Sequence, residues 1–85
     1  MQNPAAPATQ ARRARLAIAA ARLGVSETAG GNEAAGWSAG YRAGYLAQQA
    51  GMTCEDLWVA VPQLHEAFYH GVWASVVDGW YDAAD

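Results

Sequence analysis

Apolar positions along this chain recur at helical spacing, and no stretch alternates apolar and polar as a half-buried strand would, apart from the short ambiguous run Leu57–Val61. Residues 1–8, MQNPAAPA, hold two prolines and no large apolar side chain beyond Met1, and are expected to form a disordered lead. A helix is expected over about 9–23, where Ala and Arg, both strong helix formers, dominate. Gly24 stands where a C-cap glycine would end it, and 25–31 (VSETAGG) reads as a loop. Asn32 is a good N-cap for a second helix over 32–50, with Glu33 adding negative charge to its first turn and Gly51 closing it. Thr53 and Asp56 have capping-box spacing for a third helix over 53–60. Pro62 either opens a fourth helix, over 62–82, or kinks a continuous one. The expected fold is all-α: a compact bundle of three to four helices in a single helical domain over 9–85.

Within the second helix Gly36, Gly40 and Gly44 are spaced by four, and Trp37, Tyr41 and Tyr45 repeat one position later. At about 100° per residue these make adjacent ridges, one nearly bare of side chains and one built of rings. Gly71, Ser75 and Gly79 repeat the spacing in the last helix, beside Tyr69, Trp73, Val76 and Trp80. Small residues so spaced let two backbones approach closely. The six positions Gly36, Gly40, Gly44, Gly71, Ser75 and Gly79 are therefore expected to form a seam. The first reading puts that seam inside the molecule, between the second and last helices; the second makes it a homodimer or partner interface.

All nine aromatic residues lie at or after Trp37, so the core is expected in the last fifty residues, with the Ala-rich first helix packed outside. A chain this short buries only about 60–65% of its unfolded surface and needs a dense core. Charge is uneven. Arg12, Arg13, Arg15 and Arg22 make the leading segment +4, whereas beyond residue 22 eight acids face only Arg42, net −7, which together give the chain's −3. An acidic body is repelled by phosphates, so direct binding of nucleic acid by the body is not expected. No apolar run reaches the 18 or more residues of a membrane span, and the single Cys54 forms no internal disulfide, which leaves the cytoplasm as the default location.

Other chemistries rest on particular residues. The stretch LAIAAARLGVSETAGG resembles a helix-turn-helix motif through Ala20, Gly24 and the Leu-Gly-Val-Ser turn, and that resemblance implies a DNA-binding regulator; Gly30 and Gly31 fall where the second helix needs a buried aliphatic residue. The arginines can also contact phosphate without base recognition or serve as part of a targeting segment. Glu66 and His70, at i and i+4, would share a face, but with His65, Asp78 and Cys54 they offer no third metal ligand at convincing spacing. Cys54, near a helix start, is placed where a thiol pKa can fall, yet nothing around it forms a nucleophile motif. No enzyme, metal or cofactor is expected.

The residues fit a small acidic protein that binds another protein. Its size and composition resemble the short accessory proteins encoded by bacteriophages, including anti-CRISPR proteins. That resemblance implies an inhibitor that blocks a basic, nucleic-acid-binding partner. Glu55, Asp56, Glu66, Asp78 and Asp82 would oppose the partner's basic channel, and Trp58 or Tyr81 would anchor it. A homodimeric adaptor is the remaining alternative.

Overall fold

The computed structural model describes residues 7–66 and 69–85, and it is all-helical. Four α-helices follow one another: α1 (Pro7–Ala29), α2 (Glu33–Gln49), α3 (Cys54–Ala60) and α4 (His70–Ala84), with a 3-10 turn, Pro62–His65, between α3 and α4. Among the described residues there is no strand, and no helix is long and apolar enough to cross a membrane. The lead expected over 1–8 lies outside the described residues up to position 6; Pro7 and Ala8 already belong to α1. Proline suits the first helical position because its missing N–H would have no partner there.

Helix α1 does not stop at Gly24. It continues to Ala29, so the loop expected over 25–31 shrinks to a three-residue corner. The glycine that ends the helix is Gly31, at φ 88°. Its N–H donates to the Thr28 carbonyl (3.0 Å) and the Asn32 N–H to that of Glu27 (2.9 Å), which satisfies two orphan carbonyls of the last turn. Gly24 is small for a different reason. A Cβ there would lie 3.1 Å from the Gly36 carbonyl oxygen and 3.2 Å from the Gly40 nitrogen, so α2 packs directly on its backbone. The Leu-Gly-Val-Ser segment is thus mid-helix, and no helix-turn-helix exists at this place.

The remaining helix starts follow local chemistry. The Asn32 side chain accepts from the Ala35 N–H, capping α2, and Gly51 at φ 77° closes it. Thr53 and Asp56 form the reciprocal capping box, with the Thr53 N–H donating to Asp56 at 2.8 Å and the Asp56 N–H to Thr53 Oγ1 at 3.1 Å. The single helix expected over 62–82 is not found. Pro62 opens only the 3-10 turn, Glu66 leaves it with extended backbone, and α4 starts at His70 and runs to Ala84. Residues 67 and 68 lie outside the described residues.

Packing fixes the directions. Gly36 faces Thr28 and Gly24, so α1 and α2 form an antiparallel hairpin. Gly40 faces Val72 and Ser75 while Gly44 faces Val76 and Trp80, so residue numbers rise together and α4 runs parallel to α2. Two parallel helices need a crossover, which α3 and the 3-10 turn provide. That crossover also closes the core with Leu57, Val61 and Leu64, all essentially inaccessible. The core is aliphatic: Ala17, Ala20, Ala21 and Val25 of α1, Ala43 and Ala47 of α2, and Val72 and Val76 of α4 complete it. The first helix is therefore a core element rather than an outer one. Trp73, Trp80 and Tyr69 pack around this centre only partly buried.

Candidate docking face

Five of the six expected seam positions join α2 to its neighbours. A Cβ at Gly44 would overlap the Val76 carbonyl oxygen, and one at Gly79 would overlap that of Tyr41. A Cβ at Gly40 would meet Ser75 Oγ and, at 2.8 Å, the Val72 carbonyl oxygen. Ser75 is fully buried, and its hydroxyl donates to the Val72 carbonyl within its own helix at 2.7 Å, so it enters the seam with its polarity satisfied. Gly36 serves the other side, against Thr28 of α1. Gly71 is a correction: it is exposed, and a Cβ there would have nothing within 4 Å. It lies one helical turn above the point where α4 closes on α2. The seam is consumed within the molecule, so a second copy has no access to it.

Because the glycine ridge faces inward, the ring ridge rotated by about 100° emerges at the edge of the seam. Trp37 is 47% and Tyr45 38% exposed, with Tyr41 half-buried between them. Trp37 stacks on Tyr41 at 5.4 Å between ring centroids and 18° between planes, and Tyr41 meets Tyr45 at 6.3 Å. Across the seam, the outer face of α4 carries Asp78 and Asp82, with Asp85 just past its end, all exposed. The Tyr41 hydroxyl donates to Asp82 Oδ2 at 2.6 Å and ties the two rows together. That bond holds the Tyr41 hydroxyl above its ordinary pKa, with desolvation and the charges of Asp82 and Asp78 acting in the same direction. The result is a ladder of rings running beside a row of carboxylates.

The expected partner-binding residues divide into several groups. Asp78 and Asp82 lie beside the ladder. Tyr81, 62% exposed on the outer side of α4, lines a shallow cleft with Thr53, Cys54, Glu55 and Trp80. Asp56 is exposed, but its carboxylate is committed to the capping box. Trp58 is no exposed anchor. Its ring stacks on His65 at 3.9 Å and meets the edge of Trp73 at 4.5 Å, while His65 Nε2 donates to the Trp58 carbonyl at 2.8 Å. Glu66 is exposed at the end of the 3-10 turn and shares no helix with His70, so that pair has no common face. No family model, curated protein or solved structure matches this chain.

Function therefore rests on the chemistry of these side chains. The Cys54 thiol is pushed up by burial first and by the Glu55 charge second, the opposite of the shift that activates a thiol. Among the described residues no three His, Cys, Asp or Glu side chains gather as a metal site. Sequence reasoning treated Trp37, Tyr41 and Tyr45 only as flanks of the seam. The available signal was chemical: two of the three rings carry hydroxyls, and a ridge 100° from an inward stripe must meet solvent on one side.

Proposed function

We propose that this chain is a non-enzymatic, cytoplasmic protein that binds a basic, nucleic-acid-binding protein through the α2–α4 face and blocks it, in the manner of phage-encoded inhibitors. The observation that carries this reading is the half-exposed row of rings Trp37, Tyr41 and Tyr45 set beside Asp78 and Asp82. Stacked rings supply contact area at low conformational cost, and Trp and Tyr are favoured interface anchors. The carboxylate row imitates the spaced negative charge of a phosphate backbone and would steer a basic surface onto the rings. Tyr41 belongs to both rows, so docking would meet a preorganised surface and not a mobile one.

The test uses a bacterial lysate passed over immobilised wild-type chain and over Trp37→Ala/Asp82→Asn, with retained proteins identified by mass spectrometry. The expected result is one or more nucleic-acid-binding proteins held by wild type, lost from the variant, and displaced by competing duplex DNA. Identical protein sets on both columns, or retained proteins indifferent to DNA, would overturn the reading.

A further inference from the structure

The antiparallel α1 and the parallel α4 bring two oppositely charged ends to the same pole of the molecule. The Trp80 indole N–H donates to the Met52 carbonyl at 2.7 Å, which sets the last turn of α4 beside the end of α2. Helix α1 begins at that same pole, because it runs against α2. Its buried residues start only at Ala17, and the segment before it stands mostly in solvent with Arg12 and Arg15 exposed and Arg13 half-buried. The helix spans about 34 Å at 1.5 Å per residue, within a molecule whose longest dimension is 43 Å.

Charges at this pole oppose the helix dipoles. The first turn of α1 has no acid, and arginines follow the positive end of its dipole. The last turn of α4 has no base, and Asp82 and Asp85 sit at the negative end of its dipole, with Asp78 one turn behind. Among the described residues, Arg12, Arg13 and Arg15 pair with no carboxylate. Helix α1 is one unbroken helix that meets α2 and α4 together only deeper in its course, where Gly24 faces Gly40 and Val72, well past the arginine segment.

We infer that a second copy of this chain supplies the missing counter-charge. The α1 arm of one copy, with Arg12, Arg13 and Arg15, docks on Asp78, Asp82 and Asp85 of the other, and the exchange is reciprocal. Arg12 and Arg15, exposed and about 60° apart around α1, present their guanidinium groups together to the carboxylates, a pairing that suits the planar fork of arginine. Two identical contacts around a two-fold axis close the assembly as a dimer. This contact uses Asp78 and Asp82 of the face proposed above for a foreign partner, so the two would exclude each other.

Light scattering on the full chain tests the inference, at roughly 20 mM and at about 0.5 M salt, where screening differs several-fold in length. The expected result is twice the 9.0 kDa monomer mass at low salt and the monomer mass at high salt. The variant Arg12→Glu/Arg13→Glu/Arg15→Glu and the variant Asp78→Arg/Asp82→Arg/Asp85→Arg should each be monomeric at low salt, with helicity retained by circular dichroism. Mixed together, their complementary arms and faces should restore the doubled mass. A wild type that stays monomeric at low salt overturns the inference, including one that is instead held by duplex DNA through the arginines. So does an arm variant that keeps the doubled mass, or a mixture of the two variants that does not associate.

Discussion

Gly44 of α2 lies so close under the Val76 carbonyl of α4 that no side-chain atom fits between them. The contact is backbone against backbone, and its neighbour in the seam, Gly79 under the Tyr41 carbonyl, is built the same way. Such proximity brings glycine Cα–H groups toward carbonyl oxygens, weak contacts worth about 0.5–1 kcal/mol each.

Alanine at Gly44 or Gly79 should therefore separate the helices. Overpacking of this kind costs about 1–3 kcal/mol, and backbone offers no flexible end to move aside, so the upper part of that range is expected. Gly71→Ala is the control, since a methyl there meets nothing and removes glycine's backbone freedom, adding up to about 0.5–1 kcal/mol. Urea denaturation of the three variants should give opposite signs. A loss at Gly71 equal to that at Gly44 would contradict the seam.

Tyr41 predicts an alkaline response. Its raised pKa means that the neutral hydroxyl is favoured in the folded state. That contribution is fully present below the ordinary tyrosine pKa and is lost as pH rises through the folded value. Ultraviolet titration should find a tyrosine that ionises above the ordinary tyrosine range. Asp82→Asn should bring it back toward the ordinary range, and Tyr41→Phe should remove the corresponding alkaline loss of stability.

Cys54 should be a slow thiol. Burial and the neighbouring Glu55 charge both raise its pKa, which lowers the thiolate fraction at neutral pH. Alkylation by iodoacetamide at pH 7.5 is expected to run several-fold slower than for an unhindered cysteine, and Glu55→Gln should recover only part of the difference, because burial is the larger cause. A rate above that of free cysteine would show an activated thiol.

His65 braces Trp58 from one side by stacking and by its hydrogen bond to the Trp58 carbonyl. Because a carbonyl only accepts, the proton sits on Nε2. His65→Ala should cost about 1 kcal/mol, the net worth of one hydrogen bond, and should shift tryptophan emission to the red as the Trp58 ring gains water. Unchanged emission would mean that the ring is held by Trp73 alone.

Much of the local chemistry was legible in the residues. Asn32, Thr53 with Asp56, and Gly51 act at helix ends through atoms only a few positions away, and each does what its sequence neighbourhood implies. Gly24 and Gly71 were misleading because glycine has one composition and several uses. Whether it ends a helix, admits another backbone or does neither depends on what approaches it from elsewhere. The extended backbone at Glu66 and the late start of α4 at His70 were likewise hidden in a run of residues with helical spacing.

The sequence by itself determined that this chain is helical, how α2 and α3 are capped, and that small residues recur on α2 and α4 at the interval one helix turn demands. Only the tertiary structure decided that α2 and α4 run parallel and consume that stripe internally. The same packing filled the centre with Ala, Val and Leu, and left the rings at its edge beside the α4 carboxylates. The physical reason is range. Caps and periodicity are set by atoms within a turn, whereas burial is set by which surfaces meet across the fold.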